Sequence, residues 1–184
     1  MKTSAAIVPP PTNMNQQALF ETDESSVRQQ ALYTLIARQP FFEGLEPAHF
    51  KLLADSASEM RFEPGQAIFD EGSPANRFFL ILEGKVVMES DAKEHGRIAI
   101  QTLGPGDTLG WSWLFPPYSL HISARAVDPT RAISFFGVRL REQCEEDHEL
   151  GYQLMKRIAG VATQCVRALQ QRLMECCDPD KLQQ

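Results

Sequence analysis

Apolar positions change their period twice along the chain. Between Ser25 and Pro40, Val27, Ala31, Leu32, Leu35 and Ile36 recur at helical spacing. Ser25 or Ser26 can cap this helix at its start, and Pro40 ends it. A second, shorter helix is predicted in "EPAHFKLLADSA", with Pro47 in its first turn. From about residue 60 the pattern becomes short apolar runs parted by glycine-bearing turns, from Gly65 to Gly110. Turn signals at such regular intervals predict an antiparallel sandwich or barrel. "ARAVDPTRAISFFGV" adds two strands, joined by a turn at Asp128 and Pro129.

The helical period returns at about residue 138. Leu150, Leu154, Ile158, Val161, Cys165, Leu169 and Leu173 form one apolar stripe on a single long helix. Glu142, Glu145, Glu146, Asp147 and Glu149 crowd its N-terminal end, where the helix dipole favours acids. The stripe has to be buried. A parallel helix from a second copy is the economical partner; docking on its own domain is the alternative. The organisation read from the chain is a mobile N-terminal tail over 1–26, helices over 27–58, a β domain over 59–137, the long helix over 138–177 and a tail over 178–184.

A length of 184 residues suits one domain with added elements. The net charge of −6 and the lack of a basic stripe argue against nucleic acid as the main partner. Runs such as "RFFLILEGKVVM" are too short to span a bilayer, and the N-terminus lacks the apolar core of a signal peptide. These features predict a cytoplasmic protein. All four cysteines, Cys144, Cys165, Cys176 and Cys177, fall near the C-terminus, without a disulfide framework or paired zinc spacing. Cys144 and His148 stand one helical turn apart, where a metal ion is conceivable, but a solvated acidic turn is the plainer reading. Cys176 and Cys177 read as exposed thiols, with a bridge between subunits or oxidant sensing as the alternative. His49 and His95 receive no role. No nucleophile elbow, Walker loop or zinc-protease motif is present, so no enzymatic activity, required cofactor or metal is expected.

Three stretches then fall in a specific order: "FEPGQAIFDEGSPANRFFLILEGKVVM", "IQTLGPGDTLGWSWLF" and "ARAVDPTRAISF". Together they resemble a cyclic-nucleotide-binding domain of the kind found in the bacterial catabolite activator and its Crp/Fnr relatives. The resemblance covers about residues 40 to 175. It implies a mainly β fold, a jelly-roll-like double-stranded β-roll with flanking helices, and a long C-terminal helix that dimerises and closes over a ligand. The family's ligand loop follows Gly110. There a glutamate binds the ribose hydroxyl, and a later arginine pairs with the cyclic phosphate while a short helix offers backbone N–H groups. Here Trp111 stands at the glutamate position and Ser119 or Leu120 near the arginine position, with His121 next. A bond to a charged group contributes about 1.5–3 kcal/mol. Losing two would turn micromolar affinity into millimolar or worse.

Two readings of the loop remain. Trp111 and Trp113 either fill the emptied pocket as core, or line a site for a planar, nucleotide-like ligand with His121, Ser112, Ser119 and Ser123 as polar handles. The candidate site is therefore Gly110, Trp111, Ser112, Trp113, His121 and Ser123. Arg125, in the strand beyond, is expected to be structural. The expected function is a regulatory module with atypical or no cyclic-nucleotide binding, homodimeric through the long helix and acting on an unidentified protein partner. A ligand-free dimeric scaffold and the effector part of a truncated transcriptional regulator are the alternatives. The roughly ten residues after the stripe cannot form the family's helix-turn-helix, so DNA binding by this chain is not expected.

Overall fold

The run "RFFLILE" lacks polar–apolar alternation because it is buried on both faces. The computed structural model describes residues 14–92 and 96–176. The first elements are α1 (Met14–Ala37), α2 (Pro47–Asp55), β1 (Ala57–Phe62), β2 (Ala67–Phe69), β3 (Arg77–Glu83) and β4 (Val86–Ala92). They are followed by β5 (Gly96–Leu103), β6 (Thr108–Leu109), β7 (Ser123–Ala126), β8 (Thr130–Phe136), α3 (Gly137–Glu146) and α4 (His148–Cys176). Short 3-10 turns lie at Pro40–Phe42 and Trp111–Leu114.

The strands form two four-stranded antiparallel sheets, ordered β1-β8-β3-β6 and β2-β7-β4-β5. This is the expected β-roll with flanking helices. Strand alternation sends Phe78 and Leu80 of β3 to one face, where they meet Ile133 and Phe135 of β8 under Phe42, Leu53, Leu140 and Leu154 of the helical layer. Phe79 and Ile81 point the other way, into the core between the sheets with Val86, Met88, Ala124 and Ala126. Glu89 is buried between strands, and its carboxylate accepts from Arg97 at 2.9 Å and Arg125 at 3.1 Å. Arg125 also donates to the Gly65 carbonyl at 2.7 Å, so its guanidinium serves the fold, as expected.

Two boundaries differ from the sequence reading. Helix α1 begins at Met14, so it runs through Ser25 and Ser26 and occupies half of the expected tail. "MNQQALFETDES" supplies good helix formers with no proline among them. The first thirteen residues, His95, Cys177 and the C-terminal tail lie outside the described residues.

The single long helix is instead two. α3 ends at Glu146, Asp147 takes an extended conformation (φ −121°, ψ 91°), and α4 begins at His148. The break is stabilised by capping: the Asp147 carboxylate accepts the backbone N–H groups of Glu149 and Leu150, both at 3.1 Å. Glu142, Glu145 and Glu146 accordingly sit in the C-terminal half of α3. Of the acids expected at the helix start, only Glu149 lies in the first turn of α4. Cys144 and His148 fall on different helices and share no turn. Cys144 packs against Gly151, and burial together with Glu145 pushes its thiol up to about 11.

Candidate functional site

The loop between β6 and β7 starts at a position only glycine suits. Gly110 has a left-handed φ of 80°, and a Cβ there would lie 2.8 Å from the Arg77 carbonyl oxygen. The 3-10 turn that follows is held by Trp113 N–H donating to Gly110 C=O and Phe115 N–H to Ser112 C=O, both at 3.3 Å. The chain passes a cis Pro116–Pro117 peptide and returns through Tyr118, whose φ is 56°. The returning strand is stitched to the segment before β3: Ala75 N–H donates to Tyr118 C=O at 2.7 Å, and Leu120 N–H to Ser73 C=O at 2.9 Å. Arg141 ties the loop to α3. It donates to the Trp113 carbonyl, and its guanidinium carbon lies 4.2 Å from the centre of the Tyr118 ring, a cation–π contact.

The two indoles have separate fates. Trp113 is 0% exposed and packs on Phe78, with ring centres 6.1 Å apart. It belongs to the core beneath the helices, which removes it from the ligand set. Its indole N–H has no acceptor among the described residues. Trp111 is half-buried and turns toward α4. Ser123 leaves the set as well: its hydroxyl accepts the Glu71 N–H at 2.9 Å, and the residue lines no wall of the cavity. Ser119 bridges to Pro74.

Gly110, Trp111, Ser112 and His121 do come together around a chamber of about 310 Å³ under α4. Phe69, Met88, Ser90 and Ile100 form its floor, with Leu120 and Ile122 at the side and Cys165 and Leu169 of α4 as its roof. No aspartate, glutamate, lysine or arginine lines it. Leu120, near the family's arginine position, is 5% exposed and part of the core, while His121 is exposed at the chamber's edge. Polar character is confined to Ser90, Ser112 and His121. Burial raises the pKa of the Cys165 thiol, which disfavours the reactive thiolate. Such a chamber suits a planar, uncharged ligand and offers an anion no fixed positive charge.

Two features escaped the sequence reading. His49, which received no role, is 3% exposed, and its Nε2 lies 3.2 Å from Asp147 Oδ2. This bond joins α2 to the break between α3 and α4. The Leu150 N–H, then the nearby His49, hold the Asp147 carboxyl below its ordinary range. The aspartate ahead of a helical stripe was a legible capping signal, whereas its partner 98 residues upstream was not.

Helix α4 also carries two apolar faces. Leu150, Leu154 and Ile158 are buried against its own domain. A second row, Tyr152, Met155, Ala159, Ala162, Val166, Leu169 and Leu173, repeats at alternating steps of three and four, the coiled-coil spacing. Tyr152, Met155, Val166 and Leu173 of this row are 51–66% exposed.

The model of the cyclic nucleotide-binding domain family matches residues 59–147. A CRP-like cAMP-activated global transcriptional regulator of Mycobacterium tuberculosis is 29% identical over 125 residues, which make up 68% of this chain and 56% of the regulator. The chain thus spans about half of that relative. The crystal structure of a cyclic nucleotide-binding protein from Geobacter metallireducens is 31% identical, with a TM-score of 0.65 over 75% of this chain and 97% of that one. The regulatory subunit of a cAMP-independent protein kinase A from Trypanosoma cruzi, bound to guanosine, shares the fold at 22% identity and a TM-score of 0.58, over 65% of this chain and 42% of that one. Among the described residues no helix is long and apolar enough to cross a membrane.

Proposed function

Because the chain belongs to the cyclic-nucleotide-binding-domain family, we propose that it is a regulatory module whose inner chamber takes an uncharged, nucleoside-like ligand in place of a cyclic phosphate. The observation that carries this reading is the lining of the 310 Å³ chamber: an indole face, three small polar groups and no charged side chain. A relative of the same fold bound to guanosine is a precedent for a ligand without phosphate. The volume lies at the lower end of small-molecule sites.

Occupancy acts through α4. Cys165 and Leu169 roof the chamber, so a ligand that fills it favours the helix position that closes on it, a population shift between two states. Arg141 carries the state of the loop to α3 through the Trp113 carbonyl and the Tyr118 ring. The output surface is a homodimer seam along Tyr152–Leu173, the exposed heptad row, rather than the whole stripe read from the sequence. The protein works without catalysis, by presenting this dimer to a partner protein.

Tryptophan fluorescence and calorimetry with guanosine, adenosine, cyclic AMP and cyclic GMP test the reading. Saturable nucleoside binding at least tenfold tighter than that of either cyclic nucleotide is expected. Micromolar cyclic AMP binding would overturn it. A flat response to all four would leave the dimeric scaffold.

A further inference from the structure

A second chamber, of about 610 Å³, lies beyond Trp111, between the Pro40–Glu43 segment, the turn joining β5 to β6 and the first half of α4. Met88, Trp111 and Cys165 line both chambers and so form the wall between them. The outer chamber differs in chemistry from the inner one. It is lined by two carboxylates, Glu43 and Asp107, and two cations, Lys156 and Arg157.

Arg157 is already committed. Its guanidinium donates to the carbonyls of Phe41 and Glu43 and to both oxygens of Gln153, which fastens α4 to the Pro40–Glu43 segment. Asp107 accepts the Gly104 N–H through one carboxylate oxygen at 2.8 Å. The side chains of Lys156 and Glu43 form no ion pair among the described residues.

One further observation points to an occupant. Gly160 lines this chamber in mid-helix, where glycine weakens a helix. No atom lies within 4 Å of the place its Cβ would take, so packing within the chain does not require a glycine there. What the missing side chain leaves open is the chamber.

Gln153, Arg157, Gly160 and Gln164 share a face of α4 that lies about 160° around the helix from the exposed heptad row, and Lys156 lies about 90° from that row, at roughly 100° per residue.

We propose that the outer chamber binds a zwitterionic small molecule of the amino-acid or short-peptide class. Its ammonium faces Glu43 and the free oxygen of Asp107, its carboxylate faces Lys156, and its body lies against Phe41 and Trp111. Paired charges of both signs favour such a ligand: a net anion would meet two carboxylates, and a net cation would leave Lys156 unanswered. The site does not depend on what the inner chamber binds.

The full chain is tested by thermal unfolding and calorimetry with the proteinogenic amino acids one at a time, and with glycylglycine and alanylglutamine. At least one probe should raise Tm by about 3–6 °C at tenfold its Kd. The N-acetyl and C-amide forms of that probe should bind at least tenfold more weakly. Gly160→Phe fills the chamber and Lys156→Glu reverses its exposed cation, and each should weaken binding at least tenfold. The Lys156 change falls on an exposed side chain that the core does not use, so it remains informative if Gly160→Phe fails to fold. No shift with any probe, or a shift that both variants leave unchanged, overturns the proposal, whatever the nucleoside titrations show.

Discussion

Trp111 and Trp113 are two residues apart, and the structure gives them opposite duties that alanine substitution can separate. A buried indole removes roughly 150–250 Å² from water, about 4–6 kcal/mol at ~25 cal/mol per Å². Core tryptophan-to-alanine changes cost about 3–5 kcal/mol, and Trp113, at 0% exposure against Phe78, Gly137 and α3, belongs at that level. For a chain of this size the loss corresponds to a fall in Tm of about 6–20 °C. Trp111 meets a chamber on two sides, so Trp111→Ala should cost less than half as much while abolishing the fluorescence response to an inner-chamber ligand. Trp113→Phe is the informative intermediate. It gives up part of the ring but also removes an N–H that has no acceptor among the described residues, worth about 1–3 kcal/mol, so a net cost of no more than about 2 kcal/mol follows. Urea unfolding followed by far-UV circular dichroism measures all three. Equal losses for Trp111→Ala and Trp113→Ala would refute the division of the loop into a core indole and a lining indole.

Three other outcomes follow from the same geometry. Gly110→Ala should lower Tm by more than Gly65→Ala. Both positions have a φ near 80°, costing an alanine about 1–2 kcal/mol, but only at Gly110 does the added Cβ meet a carbonyl oxygen; equal losses in a thermal melt would remove the steric argument. The folded-state pKa of Asp147 is depressed, so its stabilisation is complete above the unfolded value of about 3.9 and fades as pH falls through the folded value. The stability gap between the natural protein and Asp147→Asn, measured by denaturant unfolding, should therefore be constant near neutrality and close below about pH 4; parallel curves down to pH 2 would contradict this. Val166→Glu, on the exposed heptad row, should give a folded monomer by sedimentation, and an unchanged oligomeric state would place the seam elsewhere.

The β-roll was legible because its turns are written in glycines that need left-handed backbone, and because the strands between them are short and apolar. The buried part of α4 was legible at Leu150, Leu154 and Ile158 for the same reason of spacing. Beyond Ile158 periodicity misled: Cys165 and Leu169 roof a chamber, while the end of the stripe, at Leu169 and Leu173, runs into the exposed row, whose centre lies about one-third of a turn from the buried face. Asp147 carried a capping signal, but the four glutamates around it suit the solvent face of a continuous helix equally well, and so the break was not read. In the ligand loop, the structure brings Gly110, Trp111, Ser112 and His121, singled out by spacing, around one cavity. Spacing could not tell which indole turned inward, since that depends on α3 closing over Trp113 through Gly137, whose Cβ would lie 3.0 Å from that of Trp113. Nor does a linear chain reveal a hydroxyl without a partner, as at Thr108.

The anchoring of α4 is uneven, and this has a mechanical consequence. Arg157 and Ile158 bolt the helix to the domain, while the eighteen residues from there to Cys176 cover the chambers and lie along β5. At 1.5 Å per residue that is a lever of about 27 Å, held more lightly than its root. A tilt of roughly 5° at the bolted end moves the tip by about 2 Å, as a cantilever multiplies a small rotation at its support. A change in either chamber too slight to repack the β-roll would therefore be read out, enlarged, at the far end of the helix.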